Sequence, residues 1–293
     1  MKILVIGGSG VIGFKIVEHF IKLQRDVEFT YLTNKPRFFK GHCLNITQKK
    51  STIELITKVN PDVVIHATAL TNVDLCETNN ELAHSINVNG TENVIEGCKV
   101  VGSKMIYIST SFVFDGKKEQ YFEEDQASPA TYYGVTKFKA EQLVIKSGLS
   151  YLILRTDQPY CWIENWQHTN SVLRVLHTLQ SGNNLKEITN WHNTPTYVPD
   201  FVSVTKKLID DDMFGIFHVT GPDFVSRYQM SLKVAEVFGL NKKMIEPVTS
   251  DTLNLVAKRV NVNLNNKKVV KKTGMQIKNL RNGLMKMLED RIT

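Results

Sequence analysis

The sequence has no apolar run approaching the roughly 18 residues that a membrane-crossing helix needs. Its opening, MKILVIGGSGVIG, joins one lysine to a short apolar run, but glycines interrupt the run at once. A secretory leader needs a longer apolar core and a small-residue cleavage site, so the expectation is a cytoplasmic protein with no membrane partner. Cysteine is scarce. Cys43, Cys76, Cys98 and Cys161 are too widely spaced for a zinc site or a redox pair, and they read as buried thiols. The eight histidines show no close ligand spacing, so no metal is expected. Repeats and low-complexity tracts are absent. So is any acidic excess: the formal net charge is +7, and basic residues crowd the C-terminal part, as in NNKKVVKKTG and at Lys278, Arg281 and Lys286. No aromatics interleave with these lysines and no recognised module accompanies them, so nucleic acid is not expected as a partner. They read as a solvated face, or as a basic rim that draws in a phosphorylated substrate.

What is present is an ordinary soluble composition, 42% hydrophobic and 22% charged over 293 residues, enough for one large domain or two smaller ones. KILVIG is a short apolar run of the kind buried in a parallel sheet. VIGFKIVEHFIKL then carries helical spacing, with Val11, Ile12, Ile16, Val17 and Phe20 on one face. VEFTYL, DVVIHAT, KMIYIST and YLILRT read as further strands. STIELITKV, much of NNELAHSINVNGTENVIEGCKVVG, and TYYGVTKFKAEQLVIKSG read as the helices between them. This alternation predicts an α/β protein with a doubly wound parallel sheet over residues 1–155. Beyond Arg155 the rhythm changes. ENWQHTNSVLRVLHTLQSG reads as one helix, NTPTYVPDFVSVTKKLIDD as a loop and a helix, and GIFHVTG as a strand. SRYQMSLKVAEVFGL reads as a helix with a Ser226 cap and Gly239 at its end. Residues 156–293 are expected to form mainly a smaller α/β substrate lobe over the carboxyl ends of the sheet, with some segments returning to the first domain.

GGSGVIG places Gly7, Gly10 and Gly13 between a buried strand and an amphipathic helix, the context in which such a loop holds a dinucleotide pyrophosphate. Glycines permit the turn and a close approach, and Val11 and Ile12 open a helix whose N–H groups and dipole favour the anion. The end of the second strand, TYLTNKPRFF, has no acidic residue to hold a ribose diol. Asn34, Lys35 and Arg37 stand there instead and suit a 2′-phosphate, so NADPH is expected, with NADH possible. Tyr133 and Lys137 are four residues apart on one helix face. The preceding strand ends with hydroxyls at Ser109, Thr110 and Ser111. A phenol with its ordinary pKa near 10 rarely ionises at neutral pH. A neighbouring ammonium favours the phenolate, so Lys137 is expected to pull the Tyr133 pKa down. In this reading Thr110, with Ser109 a lesser candidate, hydrogen-bonds a substrate oxygen and Tyr133 transfers the proton.

With these residues in hand the chain resembles the extended short-chain dehydrogenases/reductases, and within them the dTDP-4-dehydrorhamnose reductase branch. The resemblance rests on GGSGVIG, ATALTNVDLCE, INVNGTENV, ISTSFVFDG, FEEDQASPATYYGVTK, LILRT, NTPTYVPDF, GIFHVTGP and RYQMSLKVAEVFGL, in family order across nearly the whole chain. It implies Thr110, Tyr133 and Lys137 as the reducing set, Asn45 and Ile46 near the adenine, and Ala67 and Ala69 lining the cofactor cleft. Asn87 matches the asparagine of the INV motif. The chain departs from the family pattern in places. STDYVFDG becomes a segment with Ser111 in place of aspartate, and RTSWVY becomes Arg155-Thr156-Asp157-Gln158-Pro159-Tyr160. The DQxGxPT loop becomes Trp191 to Thr196, and A-x-R-P becomes Ala257-Lys258-Arg259-Val260. Ser109, Ser111, His192 and Arg259 are candidate substrate contacts, with Arg259 matched to a diphosphate. The resemblance implies reduction of the 4-keto group of a nucleoside-diphosphate 6-deoxy sugar by a monomer or homodimer, in dTDP-rhamnose or other polysaccharide biosynthesis. An NAD-dependent epimerase is one alternative. A non-catalytic regulatory subunit resembling the methionine adenosyltransferase accessory subunit is the other.

Overall fold

The computed structural model describes residues 1–36 and 41–292. Seven parallel strands form one sheet in the order Gly215–His218, Tyr151–Thr156, Lys104–Thr110, Val63–His66, Lys2–Ile6, Asp26–Tyr31 and His42–Cys43. The chain starts in Lys2–Ile6, builds outward to one edge, then returns to build the other. The sheet therefore reverses its winding between Lys2–Ile6 and Val63–His66, where a crevice opens beyond the carboxyl ends of the strands.

Both faces are covered, which explains why the strands read as unbroken apolar runs. Ile3, Val5, Ile65, Ile106, Leu152 and Leu154 face the helices Val11–Lys22 and Val198–Asp210 through Ile16, Phe20, Phe201 and Leu208. Leu4, Ile6, Val64, Met105, Tyr107 and Ile153 face the helices Lys49–Val59, Gly90–Val101 and Tyr132–Lys146 through Ile56, Val94 and Val144. Burying one such side chain fully is worth about 1.5–3 kcal/mol. A separate core, with Leu173, Leu176, Met230, Val234, Leu284 and Met287, holds Ser171–Gln180, Arg227–Val237 and Leu280–Ile292 together.

The sequence segment 164–182 is not one helix. Asn170 caps the Leu173 amide, so the helix starts at Ser171. The preceding residues turn back instead, and Trp166 and Gln167 donate side-chain hydrogen bonds to the Ser9 carbonyl. Cys43 is exposed, unlike the other three cysteines, because it lies on the short edge strand. The basic C-terminal part is laced with ion pairs, among them Lys268–Glu124, Lys278–Asp200 and Arg281–Glu236. Among the described residues no helix is long and apolar enough to cross a membrane.

One buried ion pair joins the helix Tyr132–Lys146 to the strand Tyr151–Thr156. Arg155 grips Glu141 with two bonds, Nε to Oε1 at 3.0 Å and Nη2 to Oε2 at 2.7 Å, and both side chains are buried. Removing one partner leaves the other charge buried and uncompensated, at a cost of about 3–5 kcal/mol. Glu141→Ala should lose that much stability in urea unfolding. A loss below about 1 kcal/mol, the range of an exposed pair, would contradict the role given to this contact.

Candidate active site

The strand Lys104–Thr110 ends in a tight turn, Ser111–Val113, because the Thr110 hydroxyl accepts from the Phe112 amide at 3.2 Å. The helix Tyr132–Lys146 starts against this turn. Thr131 caps it by accepting from the Gly134 amide at 3.1 Å. A Cβ on Gly134 would stand 2.1 Å from the Phe112 carbonyl oxygen, so only glycine lets the helix approach this closely. The approach brings the Tyr133 phenol to the same cavity wall as Thr110, near enough for Thr110 to favour its ionised form. The Phe112 ring packs edge-on to Tyr133 at 5.6 Å.

Lys137 follows one turn later. Its ammonium donates to the Ile108 carbonyl at 2.8 Å and lies 4.1 Å from the centre of the Tyr107 ring. Burial lowers its pKa to about 7, against the raising effect of Glu141. Burial also raises the Tyr133 pKa, and the neighbouring Thr110 only partly offsets this. The protein alone thus keeps Tyr133 a neutral phenol. The expected lowering by Lys137 is not what dominates here, because desolvation exceeds the gain from neighbours.

Thr110, Tyr133 and Lys137 share one cavity of about 630 Å³ at the winding reversal of the sheet. Ser9, Gly10, Val11 and Ile12 form its opposite wall, and Asn34, Ala67 and Ala69 also line it. Asn87 sets the loop after the Val63–His66 strand in place. Its amide oxygen accepts from the Leu70 amide at 2.7 Å, while its Nδ2 donates to the Leu70 carbonyl at 3.1 Å and the Thr136 hydroxyl at 3.0 Å. Asn87 sits in a π-turn, Ser85–Asn89, between two helices. Such turns often mark functional sites.

The glycine wall fits a dinucleotide. A Cβ on Gly10 would meet only the Gly7 carbonyl oxygen at 3.4 Å, so the space over it is open, whereas Gly13 is packed against that same oxygen. No side chain caps the helix Val11–Lys22, which leaves its first amides for an anion. Gly7 and Gly13 shape the turn without lining the cavity. Lys35 is exposed beside Asn34 and outside the cavity wall, and Arg37 lies outside the described residues. Asn45 accepts from the Thr47 amide and hydroxyl, and Ile46 packs in the core beneath Gly90, so neither lines this cavity.

The substrate candidates divide. Ser109 borders the cavity, but its hydroxyl donates inward to Glu141. Ser111 does not line it: the side chain is buried near the Asp157 carboxylate, whose ionised form it favours. His192 does not reach it either, because its ring packs on Phe224 at 5.4 Å. Arg259 lines the cavity and forms a two-pronged ion pair with Asp74, at 2.6 and 3.1 Å. Its guanidinium lies 5.4 Å from the centre of the Trp191 ring, and that of Arg227 lies 5.5 Å from the same ring. In the sequence Asp157, Gln158 and Trp191 stand out only as departures from the family pattern, and Arg227 carries no signal, although Asp157 follows directly on the strand that ends beside Thr110. Among the described residues no cluster of three or more His, Cys, Asp or Glu side chains is placed to hold a metal.

Fold and site together define an extended short-chain dehydrogenase/reductase. Residues 1–292 match the family described as the RmlD substrate binding domain, and the chain belongs to that family. It is 28% identical to methionine adenosyltransferase 2 subunit beta of Mus musculus over 255 residues, covering 85% of this chain and 75% of that protein. It superposes on a dTDP-4-dehydrorhamnose reductase from Clostridium acetobutylicum with a TM-score of 0.88, at 27% identity and with 100% of both chains covered. A dTDP-4-dehydrorhamnose reductase from Bacillus anthracis in complex with NADP gives a TM-score of 0.88 at 25% identity, covering 99% of this chain and 100% of that one.

The Lys137 environment has a measurable consequence. Its pKa of about 7 lies below the ordinary lysine value, so between about pH 7 and pH 10 the unfolded chain binds the proton that the folded one has lost. Stability should therefore rise with pH over this window relative to Lys137→Met. Urea midpoints of both proteins at pH 7 and pH 9.5 check this, and a constant difference between them would contradict it.

Proposed function

We propose that the protein reduces the 4-keto group of a nucleoside-diphosphate 6-deoxy sugar with NADPH. The observation that carries this reading is the Thr110–Tyr133 hydroxyl pair, with Lys137 on the same helix, facing a glycine loop across one cavity. The dinucleotide would rest on Ser9, Gly10, Val11 and Ile12, and when bound it supplies the hydride. Thr110 orients the ketone oxygen through its hydroxyl, where negative charge develops. Tyr133, held neutral by burial, donates its proton to that oxygen, so the carbonyl becomes a secondary alcohol. Lys137 is anchored on Ile108 one turn from the phenol and replenishes positive charge as the phenolate forms.

The cavity also suits an anionic, ring-bearing substrate. Trp191 offers a flat apolar surface on its wall, and Arg259 beside it can turn from Asp74 to a diphosphate. The names of the reductases from Clostridium acetobutylicum and Bacillus anthracis agree with this substrate class. The absence of a carboxylate at Asn34 and Lys35 supports NADPH over NADH.

A second reading, a non-catalytic subunit, is favoured by the likeness to methionine adenosyltransferase 2 subunit beta. The intact hydroxyl–phenol–lysine set weighs against it, since binding alone does not require a buried proton donor.

Purified protein mixed with NADPH and dTDP-4-keto-L-rhamnose, or its UDP counterpart, should consume the nicotinamide absorbance. Tyr133→Phe should lower kcat about 100-fold or more, the scale of a lost general acid. No turnover by the wild type with either sugar would reject the reductase reading and direct attention to a protein partner. In a parallel titration NADPH should bind more tightly than NADH, and equal affinities would remove the argument from the second strand.

A further inference from the structure

Among the described residues two carboxyl groups border the cavity, and the reaction as derived uses neither. Asp74 is taken up by Arg259. Asp157 is different. It is buried and forms no ion pair among the described residues. Its Oδ2 accepts from the Thr194 amide at 2.9 Å and from the Thr194 hydroxyl at 3.4 Å, and the neighbouring Ser111 and Gln158 also favour its ionised form. These donors do not compensate its burial, which still raises its pKa to about 6. A further donor arriving from the cavity would therefore be stabilising.

The backbone around Asp157 is built to hold it there. Gln158 has φ +37°, a left-handed conformation that is uncommon for a non-glycine residue. The Thr194–Thr196 segment braces this turn: the Thr196 hydroxyl donates to the Asp157 carbonyl at 2.8 Å and the Thr196 amide to the Gln158 carbonyl at 3.3 Å. The Gln158 side chain is fixed in turn by Ser171 at 2.9 Å and Arg227 at 2.8 Å. The placement relative to the reacting groups follows from register. Thr156 pairs with Thr110 on the neighbouring strand, so Asp157 begins one residue beyond and one strand spacing, about 4.8 Å, to the side. With Thr110, Tyr133 and Asp157 on the wall of one cavity, a single sugar ring can offer neighbouring oxygen substituents to both places. Asp157 is also close enough for its charge to raise the Tyr133 pKa.

We propose that Asp157 determines sugar specificity: its carboxylate accepts a hydrogen bond from the hydroxyl on the ring carbon next to the reacting carbonyl, and so selects sugars that carry that hydroxyl. The assignment rests on the keto-sugar reading of this cavity for its geometry. The hydroxyl concerned is at position 3 of a 4-keto sugar. A site that hydrogen-bonds a substrate hydroxyl through a buried acceptor discriminates strongly against the analogue lacking it.

The test is calorimetric binding to the NADP-loaded protein of three probes: dTDP-glucose, its 3-deoxy analogue and dTDP. The wild type should prefer dTDP-glucose to the 3-deoxy probe by roughly 10- to 100-fold, the range of a hydrogen bond to a charged group. Asp157→Asn should bring dTDP-glucose close to the 3-deoxy value and leave dTDP and NADPH affinities unchanged. The double variant Ser111→Asp/Asp157→Ser moves the carboxylate to the neighbouring Ser111 position, away from the cavity wall. It should restore thermal stability if the single variant loses any, yet not the discrimination. Equal loss for dTDP and dTDP-glucose, or no loss for either, would overturn the assignment. If the discrimination appears without any reduction of keto-sugars, the assignment stands and the reductase reading falls. If the wild type binds none of the three probes, both fall.

Discussion

The paired charges of Glu141 and Arg155 are the contact on which the site depends. Arg155 is the fifth residue of a six-residue strand, and Glu141 lies one helical turn beyond Lys137. Their two-pronged bond fixes the height of the helix against the strand ends. Further contacts complete the lock: Ser109 donates to Glu141, and the Arg155 guanidinium lies over the Phe114 ring and beside His218. Burial lowers the His218 pKa to about 3, and the Arg155 charge adds to the effect, so the imidazole stays neutral in this cluster. A half-turn slip of the helix would separate the Tyr133 and Thr110 hydroxyls and leave two buried charges unpaired. A buried pair is a weak source of stability but a strong constraint on register.

Desolvation then decides the chemistry around this frame. The same burial that lowers the Lys137 pKa raises that of Tyr133, so both start in their neutral-favouring forms. A neutral phenol is the form that reduction needs. The flanking histidine contributes no charge: burial and then Lys137 hold the His66 pKa at about 3, and its Nε2 is engaged with Thr91 at 3.0 Å. Among the described residues Lys137, Arg259, Asp74 and Asp157 are the lysine, arginine and carboxyl groups that line the cavity.

Much of this was legible in the sequence, for physical reasons. Strands buried on both faces leave unbroken apolar runs, so KMIYIST and YLILRT coincide with the strands Lys104–Thr110 and Tyr151–Thr156. The capping box at Ser226 marked its helix through a local hydrogen-bond pattern. The glycine loop and the Tyr133–Lys137 spacing are likewise local signals. What escaped depends on distant segments. The helix predicted from Glu164 starts only at Ser171, because Trp166 and Gln167 bond to Ser9, more than 150 residues away in the chain. Ser111 and His192 read as substrate contacts from their place in the motifs, but tertiary packing turned one onto Asp157 and the other onto Phe224. Asp157 and Gln158 stand out in the sequence only as a departure from the family pattern, because their conformation is imposed by Thr194 and Thr196, not by their own residue types.

The central claim is that this cavity carries out a net transfer of hydride to a sugar ketone. The most direct measurement uses NADPH deuterated at the transferable position, with the product analysed by mass spectrometry and proton NMR. One deuterium retained at sugar carbon 4, with stoichiometric oxidation of the cofactor, is the predicted result. Inversion of a sugar hydroxyl with no net cofactor oxidation would mark an epimerase, and an unaltered sugar beside unaltered cofactor would contradict a catalytic role.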